Sequence, residues 1–315
     1  MGNYNLNKIG AIIITYNPDV PRLRLNIKAI CPQVGLVLIV DNGSNNIGMF
    51  DSINFSKNVK ILKLGENKGI AAAQNAGIRY LEENDYDWVV TLDQDSVMPS
   101  EALEKMTATN QFKNKETGIV AAQYNESKWT DAQRRLKVEF NDNVIEKLRV
   151  IASGNLVRIA AWNFVGGFDE WMFIDQVDFD FNAKMVLAGY KVWQVNSVVM
   201  NHAVGEVIQK PILSRILLFP KSAIFADHSA FREYYIQRNT IIYAKRYPEF
   251  RRHRLQSLVS MVQSRRILVY SGPHFKKLAA AWRGIVDGVK YDPTKDKQFA
   301  EFRLKCKKVE SLNDY

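Results

Sequence analysis

Ile9-Gly10-Ala11-Ile12-Ile13-Ile14-Thr15-Tyr16-Asn17 decides the fold: seven residues almost without polar alternation run straight into a polar cluster. A strand with one wet face alternates apolar and polar side chains, whereas this run asks for cover on both faces. The same pattern recurs three times. Residues 37–40 end at Asp41-Asn42-Gly43-Ser44, residues 59–64 at Gly65-Glu66-Asn67-Lys68-Gly69, and residues 87–92 at Asp93-Gln94-Asp95. Between these strands the spacing predicts helices over Val20–Ile30 and residues 70–81, the second with small residues on one face. Strand–helix repetition of this kind implies right-handed parallel crossovers. The expected fold class is α/β, doubly wound, with a mostly parallel central sheet and helices on both faces. Ligands of such sheets bind beyond the carboxyl ends of the strands, where all four polar clusters fall.

Further along, residues 115–200 mix short strands with the turn Gly166-Gly167-Phe168-Asp169 and a helix over about 177–188. From about Ile212 the pattern is helical, basic and aromatic. The expected organisation is a catalytic domain over residues 1–205 and a basic helical region over 206–315. With 315 residues, 47% of them hydrophobic, the chain can bury a real core. Charge divides along the same line: residues 1–200 carry 21 Lys/Arg against 23 Asp/Glu, and residues 201–315 carry 22 against 10. Such a tail suits nucleic acid, an anionic membrane leaflet or an acidic substrate. No run of about 18 apolar residues is present, so no spanning helix is expected. Residues 1–10 are polar and lack the layout of a signal peptide. Cys31 and Cys306 are too few and too far apart for a disulfide framework or a thiolate metal site, so a reducing cytoplasmic location is expected.

Asp93-Gln94-Asp95 is the sharpest chemical signal. Two carboxylates one residue apart, directly after a buried strand, point into the same space. Mg²⁺ or Mn²⁺ bridges such oxygens to a diphosphate, although a solvated acidic turn looks the same in isolation. In Asn67-Lys68-Gly69-Ile70-Ala71-Ala72-Ala73-Gln74-Asn75-Ala76-Gly77, Gly69 permits close backbone approach, and the helix start offers N–H groups to phosphate. Close packing of that helix on the sheet is the plainer reading. Asp41 supplies an acceptor for a base N–H, or merely begins a turn. Asp175, Asp178 and Asp180 sit among Phe and Val, where carboxylates are costly unless paired, capping or functional, and one of them can serve as a general base. His202 ends an apolar strand and is either structural or a third metal contact.

In this order and spacing the motifs resemble glycosyltransferase family 2, the inverting family with the GT-A fold. The carriers are Ile14-Thr15-Tyr16-Asn17-Pro18, Val40-Asp41-Asn42-Gly43-Ser44, Gly65-Glu66-Asn67-Lys68-Gly69-Ile70-Ala71 with Asn75 and Gly77, and Leu92-Asp93-Gln94-Asp95. Ser153-Gly154-Asn155-Leu156, Val165-Gly166-Gly167-Phe168-Asp169-Glu170, Phe173-Ile174-Asp175-Gln176-Val177-Asp178 and Arg232-Glu233-Tyr234-Tyr235-Ile236-Gln237-Arg238-Asn239 are similar to the bacterial rhamnosyltransferase branch, which uses dTDP-β-L-rhamnose. The resemblance implies that Thr15, Asn17, Asp41 and Asn67 hold the nucleoside, with Tyr16, Asn42, Gly43, Gly69, Asn75 and Gln94 in the same nucleotide-sugar site. It implies that Asp93 meets ribose or metal, that Asp95 meets metal and diphosphate, and that His202 is a further metal ligand. The family's Glu-Asp pair aligns with Asp175 and Gln176, so the base implied is Asp175 first and Asp178 second.

The activity implied is a metal-dependent, inverting transfer of a sugar to a hydroxyl of a saccharide acceptor, free or polyprenyl-diphosphate-linked, in cell-surface polysaccharide synthesis. A UDP-hexose donor and a nucleotidyltransferase are the competing enzyme readings. A nucleic-acid partner is not expected, since it leaves the four loops unexplained. Residues 251–266 interleave five Arg with Leu, Val, Met and Ile. With the apolar residues 212–219 they read as helices in peripheral contact with an anionic membrane, on the inner face of the cell membrane. A solvated basic face or a homo-oligomer interface is the alternative.

Overall fold

β1 (Ile9–Thr15) is buried along its whole length, and its two faces have different partners. Ile9, Ala11 and Ile13 join the main apolar cluster with Leu23, Ile27 and Ile30 of α1 (Val20–Ile30). On the other face, Gly10 and Ile12 lie against α2 (Ile70–Glu83). A Cβ on Gly10 would come within 2.5 Å of a Leu81 methyl, and one on Gly77 within 2.8 Å of Ile12. Period-two alternation is therefore present, with apolar cover on both sides, and each isoleucine so buried contributes about 1.5–3 kcal/mol. α1 begins where the Asp19 side chain accepts the Arg22 N–H, with a proline in its first turn.

The computed structural model describes residues 4–52, 56–126, 129, 134–135, 137–202, 207–208, 211–220, 225–250 and 255–313. The central sheet adds β2 (Leu36–Asp41), β3 (Val59–Lys63), β4 (Trp88–Asp93), β5 (Thr117–Glu126), β6 (Val144–Glu146), β7 (Asn155–Arg158) and β8 (Lys191–His202). Its strand order is β3-β2-β1-β4-β7-β5-β8-β6. β1 pairs in parallel with β2 and β4, β2 with β3, and β5 with β8. The register sets Thr15 opposite Asp41 and Ile14 opposite Asp93, so three strand ends finish at one level.

The sheet is not parallel throughout. β7 runs antiparallel to both β4 and β5, and β6 antiparallel to β8. These are the two shortest strands of the sheet, of four and three residues. An antiparallel neighbour needs no helical crossover, so short irregular segments can supply one. β8 is the longest strand, and its register with β5 slips between Ala122 and Gln123. Beyond the slip Asn125 pairs with Asn201 and Glu126 with His202.

Contacts gather the chain into two units, Met1–Phe173 with Val177–Ala203, and Ile174–Gln176 with Val204–Tyr315. The first holds the sheet, α1, α2, α3 (Ala102–Ala108), α4 (Asn110–Lys113), α5 (Ile159–Phe164) and α6 (Val177–Leu187). The second contains α7 (Pro211–Ile216), α8 (Ala230–Arg246), α9 (Gln256–Gln263), α10 (His274–Lys290) and α11 (Lys297–Asn313). It also contains a short ladder of β9 (Val207–Ile208) and β10 (Phe225–Ala226), which helical spacing does not announce. α8 and α10 cross closely, since a Cβ on Gly284 would lie 2.2 Å from the Tyr234 carbonyl oxygen. Phe225, Ile267, Val269, Tyr270 and Ala281 form its small apolar core. Among the described residues, no helix is long and apolar enough to cross a membrane.

Candidate active site

The loops after β1, β2 and β3 are joined side chain to backbone. Asp41 is buried: its Oδ1 receives the Thr15 hydroxyl at 3.3 Å and its Oδ2 the Ser44 N–H at 3.1 Å. A carboxylate has about four lone-pair positions, so Asp41 keeps acceptor capacity beyond these two bonds. Asn42 donates to Asn67 Oδ1 at 3.0 Å and accepts the Lys68 N–H at 2.9 Å, while Asn67 Oδ1 also takes the Gly69 N–H. Asn17, at φ 48°, donates its N–H to Ser44 Oγ and accepts the Asn45 N–H. Gly43 combines φ 81° with a backbone approach so close that a Cβ would sit 2.5 Å from the Glu66 carbonyl carbon. Only glycine meets both conditions. The Tyr16 N–H donates to Gln94 Oε1 at 2.8 Å, which ties this group to the loop after β4.

That loop is fastened through its backbone. Ser153 Oγ accepts the Asp93 N–H at 3.0 Å, the Asp93 carbonyl accepts Asn26 Nδ2 at 2.8 Å, and the Asp95 carbonyl accepts Arg22 Nε at 3.0 Å. Val97 and Asn201 then exchange N–H···O bonds of 3.1 and 3.2 Å. This bridge sets the backbone of His202 beside the acidic loop, while the His202 side chain lies outside the described residues. Asp93 and Asp95 are both half-buried. Two carboxylates on a tied-down loop are the kind of oxygen ligands that would suit a hard divalent cation. Among the described residues, no group of three or more His, Cys, Asp or Glu gathers as a metal cage.

The start of α2 departs from the expectation of free amides. The Ile70 N–H donates to the Phe173 carbonyl at 2.8 Å, and a Cβ on Gly69 would strike that same carbonyl at 2.7 Å. The first amide of the helix is thus committed within the protein. Asn75 is also turned inward. Its Nδ2 donates to the Phe168 carbonyl and Glu170 Oε1, and its Oδ1 accepts from Trp162 Nε1 and the Phe168 N–H. It holds the Gly166-Gly167-Phe168-Asp169 turn.

The acidic segment after that turn is conformationally strained. Phe173, Asp175 and Gln176 have φ of 64°, 62° and 64°, a region that costs non-glycine residues about 1–3 kcal/mol each. Asn239 Nδ2 holds the carbonyls of Ile174 and Asp175 at 2.7 and 2.9 Å. Arg232 meets the Asp175 carboxylate with Nε 3.1 Å from Oδ2 and Nη2 3.0 Å from Oδ1. Beside them, burial and then the Arg232 charge push the His228 imidazole down to about 4. Burial raises the Glu233 carboxyl, opposed by the charge and hydrogen bond of Arg266. Asp178 and Asp180 occupy the first turn of α6, where Asp178 Oδ1 accepts the Phe179 N–H and Asp180 is fully buried. Burial, then the charges of Glu126 and Asp178, push the Tyr124 phenol up.

Arg22 and Asn26 are supporting residues that motif reading overlooked, whereas Ser44 and Arg232 stood inside quoted motifs without a partner assigned to them. The first two are four apart on α1 and so share a helix face, a signal that was available. Arg232 lies 57 residues beyond Asp175, so its motif gave no sign of that pairing.

A model of the family described as Glycosyl transferase family 2 matches residues 11–172. The chain belongs to glycosyl transferase family 2. The match covers the four polar loops and stops before Asp175, Asp178 and His202. Family membership sets aside the nucleotidyltransferase reading. This family 2 glycosyltransferase is also 29% identical, over 245 residues, to the dTDP-rhamnosyl transferase RfbF of Shigella flexneri, covering 75% of this chain and 79% of that protein. Two solved structures share the fold. One is GalNAc-T7 with UDP, GalNAc and Mn²⁺ (TM-score 0.60, 11% identity, 96% of this chain), of which the chain spans only 55%. The other is S. aureus TarS 1-349 with UDP-GlcNAc (TM-score 0.52, 13% identity, 96% of this chain and 91% of that one). The α/β sheet is therefore that of GT-A glycosyltransferases, and a nucleotide sugar is the donor class.

Proposed function

We propose that this glycosyltransferase moves L-rhamnose from dTDP-β-L-rhamnose to a hydroxyl of a lipid-linked saccharide, at the inner face of a bacterial membrane, in cell-surface polysaccharide synthesis. The observation that carries the transferase reading is the shared level of Thr15, Asp41 and Asp93 at the strand ends, with the Asp93-Gln94-Asp95 loop tied down beside them. The likeness to a dTDP-rhamnosyl transferase supports the choice of sugar nucleotide.

In this reading Asp41, oriented by Thr15 and Ser44, accepts a base N–H, and Asn67, fixed by Asn42, faces the nucleoside. Tyr16 offers an exposed ring to the base. Asn17, Gly43 and Gly69 shape the floor, Gln94 links the two halves of the site, and Asn75 supports it through the turn. Asp93, Asp95 and His202 would hold Mg²⁺ or Mn²⁺, which would neutralise charge on the leaving diphosphate. Asp175 takes the proton from the acceptor hydroxyl, with Asp178 as the second choice. The hydroxyl oxygen bonds to the anomeric carbon as the bond from that carbon to the diphosphate oxygen breaks. dTDP departs, and a single displacement turns a β-linked donor into an α-linked product. Arg232 is a positioning residue that fixes the Asp175 carboxylate.

Equilibrium binding of dTDP-rhamnose, UDP-glucose, UDP-galactose and UDP-N-acetylglucosamine, each with Mg²⁺ or Mn²⁺, tests the donor. Selective binding of the dTDP sugar is expected. Selective binding of a UDP-hexose would remove rhamnose while keeping the family chemistry.

A further inference from the structure

α9 is built inside out. Its polar residues Gln256 and Ser260, with Ser264 just after its last turn, recur every four positions and are 4%, 0% and 7% exposed. Its apolar residues Leu258 and Val262 lie on the opposite face at 54% and 51% exposure, with Leu255 just before the helix at 66%. A surface helix in water shows the reverse arrangement. The buried stripe is not an accident of fraying: the Ser264 hydroxyl donates to the Ser260 carbonyl at 2.8 Å, and Gln256 Nε2 reaches Ser260 Oγ at 3.4 Å.

A second set of exposed apolar side chains lies on the segment that contacts the end of α9. Arg265, just after the helix, donates to the Leu217 carbonyl at 2.8 Å and stacks over Phe219 at 4.4 Å, which joins α7 and its following turn to the same region. There Ile212, Ile216 and Leu218 project at 78%, 69% and 83% exposure. Large apolar side chains exposed together on neighbouring elements mark a binding surface.

Charge identifies what covers it. Residues 251–286 contain eight Lys/Arg and no Asp/Glu, and residues 209–226 contain three Lys/Arg and no Asp/Glu. Arg266 and Lys277 are paired with Glu233 and Asp227, but the excess of Lys/Arg in these stretches still matches a bilayer carrying anionic headgroups, with cations at the headgroups and the apolar stripe in the acyl boundary. Among the described residues no helix can span, so the contact is interfacial. We infer that the outward face of α9, with Ile212, Ile216 and Leu218, is the surface by which the protein docks on anionic phospholipid. This rests on the membrane part of the proposed function and names its face.

The test is co-sedimentation of the full chain, without any sugar nucleotide, with vesicles of phosphatidylcholine alone or mixed with phosphatidylglycerol. Binding to the mixed vesicles, weakened by salt and absent from the neutral ones, is expected. Leu258→Asp with Val262→Asp, shown by circular dichroism to remain folded, is expected to lower the partition coefficient about tenfold or more. Failure of the wild type to bind mixed vesicles, or unchanged binding by the double variant, overturns the inference. So does a wild-type dimer in light scattering that the double variant converts to monomer, because the face then belongs to a second copy. The donor assay is read separately, so its failure leaves this result interpretable.

Discussion

Arg232 closes on both carboxylate oxygens of Asp175, although the two residues are 57 positions apart and Asp175 stands on a backbone at φ 62°. A bidentate guanidinium fixes a carboxylate in orientation as well as in charge. A strained backbone persists only where its surroundings over-determine it, and Asn239 supplies the rest of that grip.

Asp175→Asn is expected to lower kcat by about 10²- to 10⁴-fold, the usual worth of a general base, with donor affinity unchanged. Single-turnover kinetics with a saturating acceptor measure it. If Asp178→Asn produces that loss and Asp175→Asn does not, the base is Asp178.

Arg232→Lys keeps the charge and loses the fork. Because hydrogen bonds to charged groups contribute about 1.5–3 kcal/mol, kcat is expected to fall roughly ten- to a hundredfold, while the donor dissociation constant stays put. A loss confined to donor binding would assign Arg232 a different role.

Gly43 and Gly65 form a matched pair. Their φ values are 81° and 80°, but a Cβ on Gly43 meets the Glu66 backbone whereas one on Gly65 has nothing within 4 Å. Both alanine variants carry the backbone cost of about 1–3 kcal/mol. Only Gly43→Ala should lose more than this in denaturant unfolding and also weaken nucleotide binding. Equal losses would mean that the β2 and β3 loops part easily.

Stability should depend on pH through His228. Its folded value is pushed down to about 4, against about 6.5 for an unperturbed histidine, so the unfolded chain binds the extra proton between those limits. The stability this neutral imidazole contributes is present above about pH 6.5 and is lost as pH falls toward 4. His228→Gln is expected to flatten the pH dependence of Tm across that window, by comparison with the parent protein. An unchanged slope would contradict the burial.

Much of the fold was legible because its signals are local. β1 and α1 have the boundaries expected of them: an unbroken apolar run ends at Thr15, and Asp19 caps the following helix. β1, β2 and β4 carry their polar clusters at the strand ends because apolar cover on both faces sets their register, while the partly exposed edge strand β3 follows β2. β6 and β7 were not legible as antiparallel, since strands of three and four residues have too little periodicity to announce a direction. The Ile70 amide reads as a phosphate donor in sequence, yet tertiary packing brings the Phe173 carbonyl to it. Likewise, the interleaved Arg and apolar residues around α9 revealed composition but not orientation. Which stripe faces inward depends on the neighbouring helices.

The most direct test is nucleoside diphosphate release from dTDP-β-L-rhamnose by the purified protein with Mg²⁺ or Mn²⁺, beside Asp95→Ala and a chelator control. Release that needs the metal and is lost in Asp95→Ala is the expected result. Turnover that survives both the chelator and the substitution, or absence of turnover in a folded protein that processes a UDP-hexose instead, would contradict it.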